Sequence, residues 1–348
     1  MKSIVIQTEQ KTTSEILIGQ GLFSEIGERI DFLFTDLNVY AFYGAKLREK
    51  YPNVPTYAMH AGEKFKTKIT LLNLLEKMRG AELKRGDTML CFGGGVVGDV
   101  GGLAAALYMR GIDCIHVPTT LLSQVDSSIG GKTAIDFGGI KNLIGVFSQP
   151  KKVYVDSDYL KTLPPREIRC GLGEIIKHGA LDRELFKILC DHRDRLSDLD
   201  FLSGIVPRNI ALKADVVERD AHEKGLRKCL NLAHTTAHAF ELSDRNLSHG
   251  EYVLIGILFE AEIAKRVLKD TDEEYLNELK ELARLALGKV PKLIDAREAA
   301  QYARLDKKNT EQEKVSLTVP VRQGEYAFLD LPYEQYADFL AEIAETLC

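Results

Sequence analysis

Short apolar runs alternate with helical patterns through the first half of the chain. Ile16–Ile18, Val39–Phe42, Thr88–Phe92, Cys114–Val117 and Val153–Val155 read as strands. Lys68–Arg79 carries apolar residues at helical spacing. This alternation predicts a parallel sheet covered by helices. After Leu163-Pro164-Pro165 the texture changes. Glu167–Leu189, Phe201–Arg219, Tyr252–Leu268, Asp272–Leu287 and Tyr333–Thr346 are long amphipathic stretches, which predict a helical second half. The exception is Lys314–Leu331, which reads as a small hairpin around Gln323-Gly324. No internal repeat and no low-complexity segment interrupts the pattern. The expected fold class is therefore α/β. A nucleotide-binding α/β domain with a parallel sheet is expected over residues 1–158, and a mostly helical metal- and substrate-binding domain over 159–348.

A length of 348 residues fits two ordinary domains. The hydrophobic fraction of 45% and charged fraction of 28% are those of a globular protein, so neither changes the picture. The net charge of −5 does: it offers no general attraction for nucleic acid or an anionic membrane. An anionic small-molecule substrate would need a local basic cluster. No apolar run reaches bilayer length, and MKSIVIQTEQKTT lacks the apolar core of a signal peptide, so a cytoplasmic protein is expected. Cys91, Cys114, Cys170, Cys190, Cys229 and Cys348 form no CxxC pair and read as reduced thiols. On that reading any metal is left to histidine and carboxylate.

The run TMLCFGGGVVGDVGGLAAALYMRG is the first sharp chemical signal. An apolar strand ends at Phe92, and Gly93, Gly95 and Gly98 satisfy G-x-G-x-x-G. Ala104, Ala105 and Ala106 continue as a small-residue helix. Glycine lets backbone approach a pyrophosphate, and the helix N-terminus offers amides and positive partial charge. Such turns also serve packing. The loop is not the first strand–helix unit, and Asp99 follows the last glycine directly, so the plan differs from a standard Rossmann domain.

A second signal is His234 and His238, four apart and so on one helical face. His249 opens another apolar helix in LSHGEYV, and Glu174 lies in GLGEIIKHGAL with Lys177 one turn on. Two His and one Glu can hold zinc with a position open for substrate. By composition His178 and His222 are no worse, and spacing does not choose among them. Finally, VDSSIGGKTAIDFGGIKNLIG sets Lys132 and Lys141 between glycines and near hydroxyl or amide side chains, a setting suited to phosphate or carboxylate. Arg110, Lys177, Lys213 and Arg227 add cations near the other motifs.

Taken together, GGGVVGD, YMRG, VPTTLLSQVDSSIGGKTAID, KNLIG, LKTLPPRE, EIIK, KADVV, GLRKCLN and HGE resemble the signature set of the 3-dehydroquinate synthases, in the family's order. The likeness covers roughly residues 60 to 310. It implies a nucleotide-binding domain, a helical metal domain, an active site in the cleft between them, and a homodimer. It implies Zn2+ or Co2+ on Glu174, His234 and His249, with His238 close to substrate. It implies NAD contacts at Gly62, Glu63, Lys64, Phe65 and Lys66, at Gly95, Val96, Val97, Gly98 and Asp99, at Thr119 and Thr120, and at Tyr159, Leu160, Lys161 and Thr162. Lys132 and Lys141 would lie between cofactor and substrate. Asp126, Lys177, Lys213, Arg227 and Asn231 match substrate positions, and Asn142 a phosphate contact. Arg110 matches an arginine that reaches into the partner subunit's site, and one of Lys307 and Lys308 also matches. Two departures stand out: Tyr43-Gly44 occupies the region after the second strand where an acid often holds the adenosine ribose, and AHTTAH replaces GHxxGH.

The reaction so implied is a step of the shikimate pathway. It turns 3-deoxy-D-arabino-heptulosonate 7-phosphate into dehydroquinate and phosphate by transient oxidation, elimination, reduction, ring opening and aldol closure. NAD is then a catalyst rather than a reagent. Arg227 suits a two-pronged clamp on a carboxylate, and His238 suits proton transfer. The rival readings are a sister sugar phosphate cyclase (2-deoxy-scyllo-inosose or valiolone synthase), a metal-dependent polyol dehydrogenase, and a non-catalytic nucleotide-binding module. DSSIGGKTAID, Arg227 and Asn231 favour a substrate with a carboxylate.

Overall fold

The computed structural model describes residues 13–244, 246–289, 296–303 and 313–347. They divide into two compact units: residues up to Pro118 with Gly131–Asp156, and Thr119–Gly130 with everything from Ser157 on. The short segment Thr119–Gly130, which the sequence reading kept within its 1–158 domain, thus packs with the helical unit.

The first unit runs β1 (Glu15–Gly19), β2 (Phe32–Asp36), α1 (Leu37–Lys50), β3 (Thr56–Met59), α2 (Lys68–Gly80), β4 (Thr88–Gly93), α3 (Gly95–Leu107), β5 (Asp113–Pro118), β6 (Lys132–Phe137), β7 (Ile140–Phe147) and β8 (Lys152–Asp156). Six strands form one sheet in the order β1-β8-β5-β4-β2-β3, every pairing parallel. β6 and β7 make a separate antiparallel ribbon. β4 is buried along its whole length, as a strand covered on both faces must be. Phe34, Leu74, Met78, Val100 and Leu103 fill the core beside it.

Val39–Phe42 is not a strand but part of α1. The strand is the preceding run Phe32–Asp36, and Asp36 ends it by capping the helix, accepting from Asn38 N at 2.9 Å and Val39 N at 3.0 Å. The aromatic run that imitated a strand lies on the helix surface, where Phe42 is 65% exposed.

The second unit runs α4 (Pro165–Leu181), α5 (Arg183–Asp191), α6 (Leu199–Arg219), α7 (His234–Ser243), α8 (His249–Val267), α9 (Glu273–Leu287), α10 (Ala296–Ala303), β9 (Lys314–Arg322), β10 (Glu325–Pro332) and α11 (Tyr333–Leu347). β9 and β10 form the expected hairpin. The stretch Glu167–Leu189 is two helices, because Asp182 stops α4 and caps α5 by accepting from Leu185 N at 2.7 Å. α8 is buried on nearly every face and forms the axis of the unit. Among the described residues no helix is long and apolar enough to cross a membrane.

Candidate functional site

In the first unit the β4–α3 turn is built from backbone. Gly94 is the N-cap of α3 and supplies no side-chain cap, so the first amides of a 13-residue helix stay available to an anion. A Cβ on Gly101 would fall 2.3 Å from Cys91 Sγ, and one on Gly102 2.6 Å from Thr133 Cγ2. The helix therefore sits on the sheet at a distance only glycine allows. Asp99, on the first turns of α3, pairs at 2.5 Å with buried Lys66, which also donates at 2.5 Å to Asn142 Oδ1. Burial would lower the Lys66 ammonium, but Asp99 and Glu63 outweigh it and push it up. Burial raises Asp99.

The other nucleotide and phosphate candidates of this unit surround that hub. Gly62, at φ +108, opens the turn Glu63–Phe65, and Phe65 stacks on His60. Lys141 lies 3.8 Å from Glu63. Lys132 is exposed at the start of β6. Asn142 sits at φ 50, held by Asp136, whose carboxylate accepts from Asn142 N at 2.8 Å. Arg110 is exposed on a tight turn in which Met109 and Arg110 both adopt left-handed backbone (φ 50 and 65), uncommon for such residues. The second strand does end in an acid, Asp36. Tyr43-Gly44 lies inside α1, several residues beyond the end of that strand.

In the second unit two helix crossings assemble the metal candidates. A Cβ on Gly173 of α4 would lie 2.3 Å from Gly250 O, and one on Gly250 of α8 would lie 1.8 Å from Cys170 O. The two backbones touch, which places the next residue of α4, Glu174, beside the preceding residue of α8, His249. Likewise a Cβ on Gly256 would lie 2.1 Å from Ala233 O. That contact, with Glu260 accepting from Ala233 N (3.0 Å) and Thr236 N (3.1 Å), fixes the start of α7 and hence His234.

Glu174 is 1% exposed. The Nε2 atoms of His234 and His249 both lie 3.4 Å from its Oε1. That is longer than a charge-assisted hydrogen bond of about 2.7–2.9 Å. It equals the edge of a tetrahedron with bonds of about 2.0–2.1 Å, the metal–ligand distance of zinc with histidine and carboxylate. The neighbouring groups fix the rings. His234 Nδ1 faces Leu232 O at 3.0 Å and His249 Nδ1 faces Glu241 Oε2 at 3.5 Å, leaving both Nε2 atoms turned to Glu174. The three side chains therefore fit a divalent ion.

Their surroundings set three different charge states: Glu174 ionised, His234 neutral and His249 protonated in the metal-free protein. Burial would raise Glu174, but Lys177 and the two imidazoles hold it well below the usual carboxylate range. Burial brings His234 down to about 4. Burial opposes protonation of His249 too, yet the Glu174 and Glu241 carboxylates push it up to about 10. His238, one turn along α7, has its ring 5.4 Å from that of His234 and 6.0 Å from that of His249.

A buried ionic network extends from Glu174. Lys177 pairs with Glu174 and lies 3.8 Å from Asp126 Oδ1. Lys213, on α6, reaches the Asp126 carboxylate and its carbonyl, each at 2.7 Å. Burial would raise Asp126, but Lys213 holds it well below its usual range. Arg227, 1% exposed, donates to Ala221 O at 2.7 Å and Gly130 O at 3.0 Å. Asn231 donates to Glu223 at 2.6 Å. Thr119 and Thr120 enter the turn before Asp126, where Thr120 and Ser123 bond each other. Tyr159 and Leu160 are buried, Lys161 pairs with Asp158 at 2.6 Å, and Thr162 donates to Tyr159 O at 3.1 Å. Lys307 and Lys308 lie outside the described residues.

His178 and His222, which spacing left as open as the others, separate clearly. His222 is exposed. His178 is buried, facing Asn209 Oδ1 at 3.1 Å and Asp126 at 3.7 Å. Neither Glu241, which faces His249, nor Glu260, which accepts from the amides of Ala233 and Thr236, carries a motif signal in the sequence. Nor does the sequence show that thiols pair in space: Cys91 and Cys114 meet at 3.5 Å although no CxxC joins them.

Residues 56–170 match the family model for the 3-dehydroquinate synthase N-terminal region and residues 171–309 that for the C-terminal region. A 3-dehydroquinate synthase of Alkaliphilus oremlandii is 36% identical over 96% of both chains. Among solved structures, 2-epi-5-epi-valiolone synthase of Streptomyces hygroscopicus, with NAD+ and Zn2+ bound, superposes with TM-score 0.89 at 23% identity over 99% of this chain and all of that one. A 2-deoxy-scyllo-inosose synthase complexed with carbaglucose-6-phosphate, NAD+ and Co2+ gives TM-score 0.82 at 24% identity over 94% and 96%.

Proposed function

The chain belongs to the 3-dehydroquinate synthase family, and from that premise we propose that it converts 3-deoxy-D-arabino-heptulosonate 7-phosphate to 3-dehydroquinate and phosphate, with NAD and a divalent zinc or cobalt ion. The observation that carries this reading is the buried Glu174 carboxylate with two imidazole nitrogens 3.4 Å from one of its oxygens. When bound, the ion supplies Lewis acidity toward a hydroxyl, and NAD supplies a reversible hydride acceptor.

The chain's own groups do the rest. Lys177 and Lys213 neutralise Asp126 and Glu174 and hold an oxygen-rich substrate by charge. Arg227, with a guanidinium fixed by two backbone carbonyls, presents a rigid fork to a carboxylate. His238, beside the metal histidines, is suited to hold and return a proton. Lys66 ties Asp99 and Asn142 together, which supports a nucleotide role for the α3 turn and a phosphate role for Asn142, and Lys132, exposed at the start of β6, is assigned to phosphate with it. Asp36, at the end of β2, stands where a ribose-binding acid is expected. Arg110, exposed on a left-handed turn, supports a homodimer in which it reaches the partner's site. The cytoplasmic setting remains part of this proposal.

The test is a stoichiometric assay. Protein given the heptulosonate phosphate, a catalytic amount of NAD and zinc should release dehydroquinate and phosphate one to one with no net NADH. Steady NADH accumulation on a polyol would instead make it a dehydrogenase, and turnover of a carboxylate-free sugar phosphate alone would make it a sister cyclase.

A further inference from the structure

Beneath α3 the first unit buries three side chains that neither the nucleotide nor the metal reading uses. Cys91 of β4 stands directly opposite His116 of β5, and Cys114, two residues before His116, shares its face of the sheet. All three are buried, with His116 only 6% exposed. The two sulfurs lie 3.5 Å apart, and the ligand atoms of all three lie within 4.8 Å of one another. Neither ring nitrogen of His116 makes a hydrogen bond of ordinary geometry, and its polar neighbours are the Cys114 thiol and, by charge, the Asp99 carboxylate. Leaving a buried polar atom so is unfavourable. An apolar residue would pack under a glycine helix at no such cost.

We propose that Cys91, Cys114 and His116 form a second metal site, taking a thiophilic d10 ion such as Zn2+ or Cu+. Two thiolates bound at about 2.3 Å in a tetrahedron sit about 3.8 Å apart, so the observed sulfur separation needs only a small adjustment. Two sulfurs and one imidazole, with no carboxylate, select a soft ion over magnesium, calcium or manganese. The site at Glu174, His234 and His249 has no sulfur, so the two sites differ in kind. An ion here would clamp β4 to β5 directly under the helix whose N-terminus offers the anion cradle. It would raise thermal stability by binding the folded state alone. This inference stands apart from the catalytic reading, since it uses none of the same residues.

The experiment titrates the full-length protein, stripped with chelator and kept reduced, with Cd2+, following sulfur-to-metal charge-transfer absorption and the cadmium-113 resonance. The expected result is one ion with a charge-transfer band and a resonance in the thiolate region. A second ion should show neither feature and should disappear in Glu174→Gln. In Cys91→Ala/Cys114→Ala the band and one equivalent of metal should be lost. Wild-type protein with no thiolate resonance would overturn the proposal without recourse to any variant. So would a band that survives in the double variant, since the sulfur would then come from another cysteine.

Discussion

Around the β4–α3 turn the N-terminal unit has removed side chains, leaving bare backbone amides and a helix pressed onto the sheet. Around Glu174 the C-terminal unit has done the reverse, burying an acid and two lysines and setting two partly buried imidazoles beside them. Both regions depend on glycine, for different ends. In the first, Gly94 leaves the opening amides of α3 without a side-chain cap, and Gly101 and Gly102 let that helix press onto its neighbours. In the second, Gly173, Gly250 and Gly256 let helices touch, and the residues beside those contacts become neighbours. A backbone site tolerates changes in surrounding charge. A side-chain site stands or falls with its crossings.

The sharpest way to break this comparison is to remove the acid alone. Glu174→Gln should abolish metal binding and lower activity by about 10³-fold or more, the several kcal/mol a metal contributes. NAD affinity, read by fluorescence titration, should stay the same. Joint loss of both would mean the two regions do not have separate roles. Next, Gly250→Ala should cost about 1–3 kcal/mol or more in urea unfolding, because the new methyl meets the carbonyl of Cys170 at 1.8 Å. Metal affinity should fall with it. An unchanged midpoint would show that α4 and α8 do not touch there.

Smaller effects sharpen the picture. Glu241→Gln should weaken metal binding about 10–100-fold by loosening His249, with NAD affinity intact. In Asp36→Asn the helix cap survives, so stability should hold while NAD affinity drops. Asp36→Ala should lose both, with about 1 kcal/mol of stability. Equal NAD affinities in wild type and both variants would remove Asp36 from the nucleotide site.

A pH titration separates the regions as well. Metal needs His249 deprotonated, and its metal-free value is about 10. His234, at about 4, and Glu174, held low, have no proton to release at neutral pH. Binding should therefore expel one proton, and affinity should rise about tenfold per pH unit from neutrality toward 10. In the metal-free protein the sign reverses for stability. His249 is raised above its unfolded value near 6.5, so its contribution is full below that pH and lost as pH climbs through about 10. A metal affinity flat between pH 7 and 9 would contradict this charge assignment.

Much of this organisation is legible in the sequence. The parallel sheet follows from apolar runs in alternation, and β4 and its glycine turn announce themselves because a buried strand and a bare loop leave strong local patterns. The three metal candidates were nameable from family motifs but not from spacing. Glu174, His234 and His249 start from three different helices, and only the crossings unite them. Val39–Phe42 misled because an aromatic run on a helix surface has the composition of a strand, and the cue that corrects it, Asp36 as a cap, is a single residue. The thiol pair was invisible because Cys91 and Cys114 sit on neighbouring strands with a whole helix between them in sequence.

The central claim is that Glu174, His234 and His249 hold one ion. Crystals of the zinc-loaded protein, measured at the zinc absorption edge, test it most directly. The account predicts an anomalous peak about 2.0–2.2 Å from a carboxylate oxygen of Glu174 and from Nε2 of each histidine. A peak elsewhere, with these three side chains pointing apart, would contradict it.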